Sequence, residues 1–193
     1  MSVTSNTVGI VDTTTNKVVN HTDVGRAAHE GSFISDGKQF WVADRGRDTV
    51  TIVDTVRGGV IAEVHGGQIP SKVVMSPDGR RAYVNHITLP EITVIDVASR
   101  RVVDHIAGLN DVFSSDEAIS PDGKELWTAH KRAGKVGLLR SGCIGDRRVP
   151  RKVQEQYFIR LTELLLDAHL LPVIGGYPLV ESLFADRGKL RNK

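Results

Sequence analysis

A single pattern with a period of 42 to 44 residues occurs three times in this chain, and it limits the possible folds more than any other feature. A hydrophobic residue followed by aspartate recurs at a spacing of 42, and an aspartate-glycine pair recurs at spacings of 42 and 44. The copies are Val11-Asp12, Val53-Asp54 and Ile95-Asp96, and Asp36-Gly37, Asp78-Gly79 and Asp122-Gly123. Because two separate markers keep one register, the chain is predicted to consist of tandem structural repeats.

Each repeat has the pattern of four short strands joined by turns. In the middle copy, the runs rich in β-branched or aromatic residues are 72–76, 81–86, 91–96 and 101–106. The first turn is Pro77-Asp78-Gly79, in which proline presets φ and glycine accepts a positive φ. Alternation within runs of about five or six residues argues against helices. Four strands in a period in the low forties predict one blade of a β-propeller, and therefore an all-β fold of four-stranded antiparallel blades.

Four segments of the middle copy match a known repeat. They are Ser76-Pro77-Asp78-Gly79, Tyr83-Val84-Asn85-His86, Val94-Ile95-Asp96-Val97 and Arg101-Val102-Val103. These segments resemble the YVTN-type β-propeller repeat, and the resemblance covers roughly residues 6–139. It implies a rigid propeller that binds ligands or ions at a mouth of its central channel. It also implies a periplasmic, cell-envelope or extracellular location.

The repeat is incomplete at both ends. Thr7 to Asp12 corresponds to the third strand of a blade, and Arg140 stands where the earlier copies have aspartate. The strand count of two, four, four and three amounts to about three blades, fewer than the four to eight of closed propellers. We therefore expect an open arc, an assembly with a second copy, or part of a larger or truncated propeller. The predicted divisions are the repeats at 1–139, a basic linker at 140–151 and a tail at 152–193.

The tail changes to a helical period. Its apolar residues fall three or four apart, as on one face of an amphipathic helix that ends at Pro172, and they are Val153, Tyr157, Leu161, Leu164, Ala168 and Leu171. A second short helix is predicted from Pro178 to Asp186. Asp167 and His169 interrupt the apolar run, which argues against a transmembrane segment. The tail is interpreted as a helix packed over a blade edge, an oligomerisation helix, or an out-of-frame extension.

Composition narrows the function classes and leaves the compartment open. The net charge of +2 is too small to predict a nucleic-acid partner. The one cysteine, Cys143, excludes an internal disulfide. The first six residues, Met1 to Asn6, are polar and show no signal peptide, although an upstream export signal would be lost with the missing strands. The residues alone therefore leave the location unknown.

Equivalent residues of the blades gather around the propeller axis, and this predicts a candidate binding site. The start of the innermost strand is polar in every copy, with His29 and Glu30, then Ser71 and Lys72, then Ser115, Asp116 and Glu117. We predict that His29, Glu30, Lys72, Asp116 and Glu117 lie near one mouth of the channel as ligand-binding residues. A His-Glu pair with a lysine and an aspartate could bind a metal ion, a small anion or a porphyrin propionate. The alternative is a solvated polar rim.

A second set of equivalent residues ends the YVTN segment, and it consists of Asp44, His86 and His130. Two histidines and a carboxylate are a usual ligand set for zinc or non-haem iron. Neighbouring blades, however, normally hold such positions too far apart to share one metal. We therefore expect these side chains to bond to loop backbone, and no metal site is predicted.

Two further sets are interpreted as structural. One is expected to set the turn after the third strand through hydrogen bonds to loop amides, and it comprises Asp12, Asp54 and Asp96. The other is expected to pack between adjacent blades, and it comprises Trp41, Tyr83 and Trp127.

No enzyme signature stands out. The chain has no phosphate-binding glycine loop, GxSxG elbow, HExxH or CxxCH motif. This favours a non-enzymatic binding or scaffold module with no catalytic residue and no cofactor. Expected partners are another protein, a cell-surface component or a further copy of the chain, and not a nucleic acid. The rival hypothesis is a propeller enzyme or cofactor-binding domain, similar to sugar-lactone hydrolases or the haem d1 domain of nitrite reductases, in which His29 and Glu30 are the first candidates.

Overall fold

The structure is a computed structural model that describes residues 4–107, 109, 112, 114–140 and 157–160. Within these residues the regular secondary structure is entirely β. The first seven strands are β1 (Thr7–Asp12), β2 (Lys17–Asp23), β3 (Ala28–Phe33), β4 (Gln39–Asp44), β5 (Thr49–Asp54), β6 (Val60–His65) and β7 (Pro70–Met75). The other seven are β8 (Arg81–His86), β9 (Glu91–Asp96), β10 (Arg101–Ala107), β11 (Ser114–Ile119), β12 (Glu125–His130), β13 (Lys135–Arg140) and β14 (Tyr157–Arg160).

The strands form three antiparallel four-stranded blades and one two-stranded sheet. Strands β3–β6 form the first blade, β7–β10 the second and β11–β14 the third, each in sequence order. The two-stranded sheet is β1 with β2, which corresponds to the third and fourth strands of a blade. The predicted fold class, an incomplete β-propeller of four-stranded blades, is confirmed. In the described part of the chain there is no helix of the length and hydropathy that crossing a membrane requires.

The third blade corrects one prediction. The sequence pattern placed Tyr157 on an amphipathic helix, whereas Tyr157–Arg160 is strand β14, which pairs with β13 and supplies a fourth strand to this blade. Pairing satisfies backbone groups of β13 that would otherwise form an open sheet edge. Tertiary pairing therefore overrides the local helical period at these four residues. The rest of the predicted linker and tail, at 141–156 and 161–193, lies outside the described residues.

Aromatic residues fill the spaces between blades, as predicted. Trp41 is fully buried in a cluster with Val73 and Val84 of the second blade. Tyr83 is buried in the next cluster with Leu126 of the third blade. Truncating such a residue to alanine is expected to cost about 3–5 kcal/mol of unfolding free energy, because it leaves a cavity that the blades cannot fill. Trp127, the third member of the set, is buried as well.

The aspartates that end the third strands set the following turns, which confirms their structural interpretation. Asp12 Oδ1 accepts a hydrogen bond from the Thr14 amide at 2.7 Å. Asp54 Oδ1 accepts from the amides of Val56 and Arg57, both at 2.9 Å. Asp96 Oδ1 accepts from the Ser99 amide at 2.8 Å. These hydrogen bonds stabilise the charged form, so the pKa of each carboxyl group lies below its ordinary value.

Candidate functional site

A β-bulge interrupts each innermost strand at its start. In β3 the register shifts between Ala28 and Gly31, in β7 between Pro70 and Lys72, and in β11 between Ser114 and Asp116. A bulge adds an unpaired residue and changes the direction in which nearby side chains point. The three bulges occupy equivalent positions, and β7 lies beside both β3 and β11. This arrangement brings the polar residues of three strands to one end of the blades, here called the mouth.

Four of the predicted site residues meet at the mouth. Lys72 Nζ lies 2.6 Å from Asp116 Oδ1 and 3.7 Å from Glu30 Oε2, so one ammonium group joins carboxylates of the first and third blades. His29 Nδ1 lies 3.0 Å from the Ser71 carbonyl oxygen and 3.6 Å from Glu30 Oε1. These four side chains, His29, Glu30, Lys72 and Asp116, are named the mouth network. It spans all three blades.

Burial and charge act in opposite directions on the pKa values of the mouth network. Burial alone would lower the pKa of Lys72, but the hydrogen bond and charge of Asp116, together with Glu30, raise it. Burial raises the pKa of Glu30, and the charge of Lys72 only partly opposes this. Burial and the nearby Arg45 guanidinium lower the pKa of His29. At neutral pH, Lys72 is therefore charged and His29 is mainly a neutral imidazole that can accept or donate a hydrogen bond.

Glu117, the fifth predicted residue, lies behind the mouth network. Its side chain is fully buried, and its carboxyl oxygens have no partner of good hydrogen-bond geometry among the described residues, although the Asn85 backbone amide acts on the carboxyl group and lowers its pKa. Burial raises its pKa well above the ordinary value, against the opposing charge of Lys72. Its equivalents in the first and second blades are Gly31 and Val73. The structure thus buries a carboxyl group, with a raised pKa, at a position that holds a core valine in the second blade.

Arg45, Ser71 and Asn85 extend the mouth network, and the sequence did not indicate Arg45 as a partner. Arg45 Nη2 donates to Ser71 Oγ at 2.6 Å, which joins the turn after β4 to the bulge of β7. Asn85 Oδ1 accepts from the Lys72 amide at 2.8 Å and its Nδ2 donates to Ser114 Oγ at 3.3 Å. Asn85 was visible as part of the YVTN segment. Arg45 carried no signal, because an arginine in a turn is usually solvated.

The second set of equivalent residues does not converge. Thr51 Oγ1 donates to Asp44 Oδ2 at 2.5 Å, and His86 Nε2 lies 2.9 Å from Thr93 Oγ1. His130 Nε2 lies 2.9 Å from Thr128 Oγ1. Each of these contacts lies within a single blade. His86 also bonds to loop backbone as predicted, since its Nδ1 lies 3.0 Å from the Gln68 carbonyl oxygen, whereas the other two side chains bond to threonine hydroxyls.

Burial raises the pKa of Asp44 to about 6, although two threonine hydroxyls stabilise the charged form. In the described ranges, no three histidine, cysteine, aspartate or glutamate side chains come together in an arrangement that could hold a metal ion.

Comparisons with known proteins point to a structural relationship. No family model matches the chain, and no curated protein matches it. The fold is similar to a chain of Kuenenia stuttgartiensis hydrazine synthase, with a TM-score of 0.71 and 28% sequence identity over 80% of this chain. The match covers 44% of that chain, so the present sequence spans less than half the length of its structural neighbour.

Proposed function

We propose that this chain is a non-enzymatic binding module of the YVTN type, and that it recognises its partner through the mouth network. The observation that carries the proposal is the position of the bulges. Three equivalent bulges place different polar residues, Glu30, Lys72 and Asp116, at one end of three neighbouring strands. Rigid strands that present varied polar groups at a shared end are a common basis for recognition.

The ion pairs of the mouth network are expected to contribute little to the unfolding free energy, which supports a role in recognition. Lys72 and Asp116 are about one-fifth exposed, so a partner can reach them, while the low dielectric constant of the surrounding protein strengthens their electrostatic interactions. Surface ion pairs contribute about 0–1 kcal/mol, and half-buried pairs lose much of their attraction to desolvation. A partner that brings its own charged or polar groups can exchange hydrogen bonds with the network. We therefore propose a protein or a cell-surface component as the partner.

Site-specific photo-crosslinking tests this proposal while the partner is still unidentified. A benzoylphenylalanine at position 132, in the exposed turn after β12, probes the mouth. The same probe at position 56, in the turn after β5, reports on the opposite end of the blades, where Val56 is 77% exposed. We expect the position-132 probe to capture one defined partner in the native cells, and the position-56 probe to capture none.

Two substitutions connect the crosslink to the mouth network. Lys72→Met removes the ammonium group and is expected to reduce the crosslink at least tenfold. Lys72→Arg keeps a cation within reach of Asp116 and is expected to restore most of it. Equal capture at both ends of the blades, or full capture by Lys72→Met, would exclude the mouth network as the recognition site.

The second candidate is a cofactor-binding or catalytic propeller domain, and the similarity to a chain named hydrazine synthase favours it. His29 is the residue to test, since its neutral imidazole lies beside Glu30 in the mouth network. Absorption spectra and elemental analysis of the purified chain test this function. A stoichiometric chromophore or metal that is lost in His29→Ala supports it, and a colourless, metal-free chain that still captures a partner contradicts it.

A further inference from the structure

A cavity of about 430 Å³ lies beside the mouth network, between the two-stranded sheet and the first blade. Its lining combines the start of β1, the connection from β2 to β3 and the turn after β4. The lining residues are Asn6, Val24, Arg26, Gly46 and Arg47. Two of them are arginines whose side chains are exposed, so the cavity has a basic wall that solvent can reach.

Backbone hydrogen bonds fix the walls of this cavity. The Gly46 amide donates to the Arg26 carbonyl oxygen at 2.9 Å, and the Val24 amide donates to the Asn6 carbonyl oxygen at 2.9 Å. The Asn6 side chain adds a third link, because its Oδ1 accepts from the Ala27 amide at 2.9 Å. These links hold the segments that carry Arg26 and Arg47 against each other.

Gly46 makes this close approach possible. A Cβ atom at position 46 would lie 2.9 Å from Arg26 Nε and 3.0 Å from the Arg26 carbonyl oxygen. Any larger residue would therefore displace the Arg26 side chain from the cavity wall. The absence of a side chain at Gly46 allows the Arg26 guanidinium group to pack against the backbone.

The described carboxylates near the cavity compensate the positive charges of Arg26 and Arg47 only in part. Within the part of the chain that the structure describes, no carboxylate lies within ion-pair distance of the Arg26 guanidinium. Arg47 Nη1 is 3.5 Å from Glu63 Oε1, a weak contact between side chains that are 58% and 43% exposed. Asp48 Oδ1 accepts from the Ile69 amide at 2.8 Å, and Asp44 bonds to threonines. The charge of Arg47 acts on Asp44 and opposes the rise of its pKa, so the charge of Arg47 is partly compensated.

The equivalent place in the second blade lacks the basic groups. Arg26 corresponds to Gln68, Arg47 to Leu89 and Gly46 to Thr88, each 42 residues later. The repeat itself therefore does not require arginines here. The two arginines, and the glycine against which Arg26 packs, occur together in the first blade and not in the second.

We propose that this cavity binds an oxyanion, namely the carboxylate or phosphate group of a small acidic ligand. Guanidinium groups donate two parallel hydrogen bonds to such groups and remain charged at every physiological pH. The Asn6 side-chain amide supplies a further donor from the facing wall. Arg45, in the same turn as Gly46 and Arg47, extends the mouth network through its hydrogen bond to Ser71, so this turn contributes to both sites. This site is separate from the proposed recognition by the mouth network.

Isothermal titration of the full chain with inorganic phosphate, and separately with succinate, tests the proposal at constant ionic strength. We expect saturable binding of at least one anion. Arg26→Gln should weaken it about tenfold or more, and Gly46→Ala should weaken it because Arg26 is displaced. The matched control is Arg57→Gln, an exposed arginine in the turn after β5, which should bind like the unmodified chain.

The two anions distinguish the ligand sources, since preference for phosphate indicates a phosphorylated ligand and preference for succinate a carboxylic acid. Circular dichroism confirms that each variant is folded before titration. Absence of saturable binding, or equal affinity of Arg26→Gln and Arg57→Gln, would overturn the proposal. If Arg26→Gln loses anion binding and still gives the crosslink at position 132, the anion site is independent of the proposed function.

Discussion

Equivalent positions at the two ends of the blades differ in how much their residues vary from copy to copy. At the turn after the third strand, the two-stranded sheet and the first two blades have aspartate, whereas the third blade has Arg140. Asp12, Asp54 and Asp96 each accept hydrogen bonds from loop amides. At the bulge of the innermost strand, the copies carry different residues at two successive positions. Glu30, Lys72 and Asp116 occupy one set of equivalent positions, and Gly31, Val73 and Glu117 occupy the next.

This difference distinguishes residues that stabilise the structure of a blade from residues that vary between blades. The turn aspartates satisfy backbone groups of their own sheet, so the same residue suits the two-stranded sheet and the first two blades. The mouth residues contact neighbouring blades, as Lys72 contacts Asp116, so each copy requires a different partner. Variation at a fixed geometric position is therefore a better indicator of a site in this fold than identity is.

The largest effect is expected for Gly31→Ala at the bulge of β3. A Cβ atom at position 31 would lie 2.1 Å from the Trp41 carbonyl oxygen, so the backbone must move. We expect a loss of about 3 kcal/mol of unfolding free energy, because overpacking at a backbone contact cannot be relieved by a rotamer change. Chemical denaturation measures it.

Gly9→Ala is the control for that experiment. A Cβ atom at position 9 would make ordinary contacts of 3.6 Å with the His21 side chain, and the change should lower the unfolding free energy by less than about 1 kcal/mol. Equal effects of the two substitutions would show that the bulge tolerates a side chain in the first blade, as it does in the second.

A smaller effect of opposite sign is expected for Glu117→Val, which introduces the residue of the second blade. Burial raises the pKa of Glu117, so the folded chain holds its proton more tightly than the unfolded chain does. The pH-dependent cost of the native carboxyl group is therefore absent below its unfolded pKa of about 4.3, and it grows as pH rises through the range toward its folded pKa. Removing it should raise the midpoint of thermal unfolding by about 3 °C or more at pH 8.

Thermal unfolding at pH 5 and pH 8 checks the sign of this effect. The gain from Glu117→Val should be larger at pH 8 than at pH 5. The charges of Lys72, Asp116 and Glu30 act on Glu117 from the surrounding strands and remain in both chains. A gain that is equal at the two pH values would mean that the carboxyl group is solvated in the folded state.

The smallest effect is expected for Asp54→Ala in the turn after β5. Hydrogen bonds from Val56 and Arg57 lower the pKa of Asp54, so its contribution is present above its unfolded pKa and disappears as pH falls through its folded pKa. We expect a slight decrease in the unfolding midpoint at pH 7 and a smaller decrease at low pH. Asp54→Asn keeps the acceptor oxygen and should retain most of the stability at both pH values. A larger loss at pH 2 than at pH 7 would contradict the assigned role.

The repeat predicted the blades, because strand order and register follow from turn residues that recur at fixed intervals. It also predicted that His29, Glu30, Lys72 and Asp116 meet, since equivalent positions in a propeller surround one axis. The bulges were not predictable, because a one-residue excess in a strand depends on pairing and leaves no local signal. Enclosure of Glu117 follows from that shift.

Strand β14 shows the limit of local patterns. Tyr157–Arg160 fits one turn of an amphipathic helix as well as a short strand, and only the unpaired edge of β13 decides between them. The sequence also did not predict the cavity of the proposed oxyanion site, because Arg26 and Arg47 lie in different connections between strands. Backbone pairing between Gly46 and Arg26 brings their segments together.

The most direct test compares partner capture and stability in Glu30→Gln and Asp54→Ala chains that carry the position-132 probe. Burial already disfavours the charge of Glu30, so its neutralisation should leave the unfolding midpoint nearly unchanged. Our account predicts that Glu30→Gln loses the crosslink at full stability, whereas Asp54→Ala keeps the crosslink with a lower midpoint. A crosslink that survives Glu30→Gln, or that is lost only in proportion to stability, would contradict it.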